Sequence, residues 1–105
     1  MKQVCFWNIP NRWDEGAKEE AESRIVPGWN TTALAQACVN FIASGKPVAR
    51  MKGSASCRIC GEPLGSMDLE RNGYVFPQKW EHYITAHSVK PWDEEFLAHV
   101  ATFGV

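Results

Sequence analysis

Two cysteines, Cys57 and Cys60, are separated by two residues in the run Cys57-Arg58-Ile59-Cys60-Gly61. After 21 further residues come two histidines, His82 and His87, separated by four. This pair of pairs constrains the chain more than any other feature. Paired thiolates on a tight turn supply one edge of a tetrahedron and two imidazoles on a helix supply the other, a mixed sulfur and nitrogen set that suits zinc, which imposes no geometry of its own. The expected ligands are therefore Cys57, Cys60, His82 and His87, around one Zn2+. The opposing reading is two buried or redox cysteines beside a solvated His82, and it leaves the coincidence of the two spacings unexplained.

The segment between the pairs predicts a hairpin and a helix. Ser66 to Arg71 and Tyr74 to Phe76 flank Asn72-Gly73, a dipeptide that accepts the positive φ angles of a tight turn. Pro77 stands where a helix tolerates proline, and Gln78 to Ala86 reads as helix with Trp80 and Ile84 toward the core. Residues five positions apart on an ideal helix diverge by about 140°, so His82 and His87 share an ion only if the helix loosens or ends near His87.

At 105 residues the chain is expected to form one α+β domain, residues 1–45 supplying a strand and helices and residues 46–105 a zinc-finger-like module with a C-terminal helix. Gln3 to Ile9 is rich in strand formers. Trp13 to Ile25 predicts a helix through Trp13, Ala17, Ala21 and Ile25, with the i,i+4 pairs Lys18–Glu22 and Glu20–Arg24. Its carboxylates, Asp14, Glu15, Glu19, Glu20 and Glu22, read as a solvated face. A core helix is expected over Thr31 to Ser44, capped by Asn30 and stopped by Gly45. The last helix runs from Trp92 to about Phe103, acidic in its first turn at Asp93, Glu94 and Glu95 and followed by Gly104. His99 lies on its apolar stripe, as a core histidine or as a replacement for His82 in the ligand set.

Cys5 and Cys38 carry no motif and read as small buried apolar residues. The N-terminus is too short in apolar residues for a secretory signal, and no stretch reaches membrane-spanning length, so a reducing, cytoplasmic setting is expected, where cysteines serve metal or thiol chemistry rather than disulfides. The one basic run, Lys46, Arg50, Lys52 and Arg58, raises nucleic acid as a partner. Four cations in a chain of net charge −1 make a weak phosphate-tracking surface, and a strand edge protected by charge explains them more simply.

Residues 50–100 resemble a set of short uncharacterised bacterial proteins. The resemblance rests on Cys57, Arg58, Cys60, Gly61, Gly65, Ser66, Phe76, Pro77, His82, Tyr83, His87, Val89 and the run Asp93 to Val100, and it departs at Gln78-Lys79-Trp80. It implies a zinc-stabilised fold and supplies no activity. Four protein ligands leave no open position for water or substrate, so the expected role is a non-enzymatic module that contacts another protein, with oligomeric state unspecified. The nucleic-acid reading stands second. Zinc catalysis or dithiol chemistry stands third, since Glu81 points about 100° away from His82 on a helix and the segment after Cys60 does not read as a redox helix.

Overall fold

The computed structural model describes residues 1–103, apart from the side chains of Met51 and Lys52. Gly104, the expected stop of the last helix, lies outside the described residues, as does the side chain of Lys52 in the basic run.

The chain begins with a short strand, β1 (Lys2–Gln3), then a short helix, α1 (Ala17–Glu22), and a single 3-10 turn at Trp29–Thr31. The longest helix, α2 (Ala33–Ala43), leads into an antiparallel meander of β2 (Lys46–Ser56), β3 (Pro63–Arg71) and β4 (Tyr74–Pro77). Two helices close the chain, α3 (Glu81–His87) and α4 (Glu94–Phe103). The sheet order is β1-β4-β3-β2, with β1 parallel to β4, so the sheet is mixed and the class is α+β as expected.

The hairpin forms as predicted. Asn72 and Gly73 both have positive φ, 52° and 85°, which matches the right-handed twist of the flanking strands. The last helix also forms, starting two residues late because Asp93 caps it: its carboxylate accepts the Phe96 N–H at 2.9 Å.

Five expectations require correction. The strand at Gln3 to Ile9 ends at once, because Cys5 turns into the left-handed region (φ 65°) and sends Trp7 inward onto Trp80, Tyr83 and Trp92. The first helix is confined to Ala17–Glu22, beginning after Gly16 in a left-handed conformation; Ala17 and Ala21 are buried as the stripe required, but Trp13 lies outside the helix and is 82% exposed. Neither i,i+4 ion pair forms among the described residues, and Arg24 instead lies 4.8 Å over the Trp92 ring. The cap of α2 is Thr32, not Asn30, and its hydroxyl accepts the Ala35 N–H. The helix after the hairpin starts at Glu81, because Pro77 stays in β4 opposite Asp68 and Lys79 turns with φ 60°.

Gly45 follows α2 for a different reason than helix termination. A Cβ there would lie 2.8 Å from the Phe76 ring and 2.9 Å from the Leu69 Cβ, so its bareness lets the chain pass close over the sheet. One continuous core joins both halves of the sequence, from Val4 to Val100, and Phe41 on α2 meets the rings of Tyr74, Phe76 and Phe96 at its centre. The halves named from the sequence therefore fold as one compact body.

Candidate metal centre

The meander supplies the first pair of the site. Between β2 and β3 the chain folds into a knuckle in which the Cys57 N–H donates to the Glu62 carbonyl at 2.8 Å and the Gly61 N–H returns to the Cys57 carbonyl at 2.9 Å. Gly61 has φ 82°, which a Cβ would oppose. The Ile59 N–H approaches Cys57 Sγ at 3.4 Å, an amide dipole directed at the sulfur. Cys57 is buried and Cys60 exposed.

Helix α3 supplies the second pair from its two ends. His82 lies in the first turn and His87 is the last helical residue. Ser88 turns left-handed (φ 55°) and the Val89 N–H reaches back six residues to the Tyr83 carbonyl, so the helix ends where the spacing of the histidines needed it to end. Their rings stand 5.2 Å apart and nearly perpendicular, at 82°. Trp80 and Ile84 face the core as expected, with Trp80 1% exposed and Ile84 fully buried.

The two pairs meet. One ligand atom from each of Cys57, Cys60, His82 and His87 falls within 4.8 Å of all the others, and Cys60 Sγ lies 3.3 Å from His82 Nε2. Tetrahedral bond lengths to zinc give edges of about 3.3 Å between nitrogens and about 3.8 Å between sulfurs, so closing the widest gap takes about an ångström of side-chain adjustment. The cluster can hold a metal ion. His87 Nε2 is also buried without a hydrogen-bond partner, an orphan that a cation would satisfy.

The electrostatics agree with a ligand role. Burial, and then the neighbouring His82, hold the His87 imidazole below its ordinary pKa and so favour the neutral form that binds metal. Burial pushes the Cys57 thiol up, opposed by the amides of Cys60 and Ile59. A cation beside that sulfur would reverse the balance and stabilise the thiolate.

Three residues around the site make contacts that the sequence reading did not foresee. Tyr83 Oη accepts the Arg58 N–H at 3.0 Å, tying α3 to the knuckle independently of any ion. Arg58, expected on a solvated edge, turns inward 5.3 Å over the Trp7 ring and 3.7 Å from Glu20. Glu20, expected on a solvated face, accepts the N–H groups of Asn8 and Ile9 at 2.8 and 3.0 Å. Tyr83 sits beside His82 in the sequence and was visible as part of a motif. Glu20 and Arg58 are 38 positions apart, and no local spacing joins them.

His99 stands apart from this cluster. It lies 3.4 Å from the Asn72 amide nitrogen and stacks on Phe103, so it does not replace His82. Cys5 and Cys38 are buried free thiols as expected, with desolvation holding Cys38 up at about 12. Among the described residues no helix is long and apolar enough to cross a membrane. No protein-family model matches the chain, and comparisons with curated proteins and with solved structures found no match either.

Proposed function

We propose that Cys57, Cys60, His82 and His87 bind one zinc ion in a closed structural site, and that the protein is a non-enzymatic module acting through contact with another protein in a reducing, cytoplasmic setting. The observation that carries the metal assignment is the convergence of four sulfur and nitrogen donors within 4.8 Å. Thiolate and imidazole donors without a carboxylate favour zinc over the hard cations. Four protein ligands complete a tetrahedron, leaving no position for a substrate or an activated water. A dithiol enzyme would need a depressed thiol pKa, whereas burial raises that of Cys57. The resemblance to short bacterial proteins belongs to the same reading.

Nucleic acid remains the second partner class and has lost part of its support. Of the basic run, Lys46 and Arg50 lie exposed on the edge strand β2, but Arg58 is folded against Trp7 and Glu20. Such an edge is guarded by charge against strand pairing.

Metal analysis of the purified protein is the direct test. One zinc per chain is expected, falling to a small fraction in Cys60→Ser and His82→Gln variants that keep their helical circular dichroism. Protein that folds fully without any bound metal, and takes up none when zinc is added, would overturn the assignment.

A further inference from the structure

We infer that the groove between the N-terminal loop and the ends of β2 and β4 docks an acidic, extended segment of another protein carrying an aromatic or large aliphatic side chain. The inference rests on the reading of this protein as an interaction module and deepens it by naming the surface and the chemistry of the partner.

The groove encloses about 650 Å³, within the range of ligand-binding clefts. Its walls are aromatic, with Trp7 and Trp80 on one side and Trp13 at the rim. Trp13 is the anomaly that marks it: an indole 82% exposed, with the Arg12 guanidinium stacked 4.3 Å from its ring centroid. Tryptophan and arginine are the residues over-represented at the energetic centres of interfaces, where a rigid ring and a planar cation lose little entropy on contact.

The polar chemistry selects an acceptor-rich partner. Among the described residues, the charged ones lining the groove are the arginines Arg12 and Arg58, with no acid beside them. Gln78 spends its Oε1 on the Met67 N–H at 3.2 Å and keeps its amide NH2 as a donor. Among the described residues, Trp80 Nε1 is a buried donor in the wall without a hydrogen-bond partner, and Arg58 Nη1 has only the Glu20 carboxylate at 3.7 Å, beyond hydrogen-bond reach. A carboxylate beside an apolar side chain matches this arrangement, the acid meeting the Arg12 guanidinium while the apolar group fills the space between indoles.

A nucleic-acid strand fits less well. Its affinity comes from rows of phosphate contacts, and among the described residues this surface offers two cations, one of which already faces Glu20 at 3.7 Å. A small molecule held inside the groove would leave the rim indole of Trp13 in water, whereas a chain crossing the groove covers it.

The test is selection of displayed random peptides of about 12 residues, long enough to cross the groove in extended form, against the full chain, with zinc content measured on the same sample. Enriched peptides are expected to be net acidic with at least one aromatic or large aliphatic residue. Labelled synthetic copies should lose about tenfold or more in affinity to Trp13→Ala and to Arg12→Glu. Both positions lie outside the helices and the sheet, and unchanged circular dichroism and melting temperature would confirm that the variants fold. Enrichment no better than against an unrelated protein, basic winners, or winners that bind both variants as tightly as the parent would overturn the inference, as would preference for a single-stranded oligonucleotide with steep salt dependence. Acidic winners on protein shown to carry no metal would uphold the groove and remove the zinc proposal, so the two stand or fall separately.

Discussion

Tyr83 is the residue on which both halves of the candidate centre lean. It is buried on α3, and its hydroxyl accepts the Arg58 N–H of the knuckle. Tyr83→Phe leaves that amide without its partner, and a loss of about 1–2 kcal/mol is expected in denaturant unfolding, with zinc stoichiometry unchanged. Gly45→Ala tests close packing, because the added methyl meets the Phe76 ring and the Leu69 Cβ inside 3 Å. It should cost about 1–3 kcal/mol, more than the exposed end of a helix ordinarily registers. Asp93 gives a pH-dependent case. Burial pushes its carboxyl up, but the Phe96 N–H and Lys2 outweigh burial and bring it below the usual range. A depressed folded pKa means that the contribution is fully present above the unfolded value of about 3.9 and fades as pH falls through the folded one. Asp93→Asn should therefore lower stability at neutral pH and flatten the acid limb of the stability curve below about pH 4, as read by thermal melts across pH.

At the scale of elements, what the sequence made legible was whatever is decided by neighbours in the chain. Asn72-Gly73 closed its hairpin, Gly61 its knuckle, and the cysteine and histidine pairs met as the metal reading of their spacing required. The first strand was misread because it is decided from a distance, and the first helix because a local glycine overrode its period. Gln3 to Ile9 has the composition of a strand, yet the ring cluster of Trp80, Tyr83 and Trp92 draws Trp7 inward and Cys5 turns to allow it. Trp13 continued the period of α1, but Gly16 began the helix three residues later. The loosening of α3 was legible only as a condition on His82 and His87. The structure meets that condition with Ser88, whose hydroxyl donates to the Val26 carbonyl at 2.6 Å and accepts the Asn30 N–H at 3.1 Å. Ser88→Ala should cost about 1–2 kcal/mol through these two lost bonds, and a larger loss in metal-loaded than in chelated protein would place the effect at the end of α3.

For the molecule as a whole, a bound metal would act together with the core. Knuckle and helix are already joined by Tyr83 and by packing, so removal of a bound ion is expected to weaken the fold rather than abolish it outright. Chelation should lower stability by about 3 kcal/mol or more, a fall of about 12 °C or greater in melting temperature for a domain of this size. An unchanged melt after complete removal of zinc would show that the donors contribute nothing to stability.

The junction at Ser88 extends this coupling into a distant part of the chain. Val26 and Lys90 exchange amide bonds across it with Ser88 and Arg24, and the amide of Asn30 ends on a hydroxyl 58 positions away. Deuterium uptake at Val26, Asn30 and Lys90 should therefore fall as ion occupancy rises and increase on chelation. A backbone stretch that never touches the ion thus becomes its gauge.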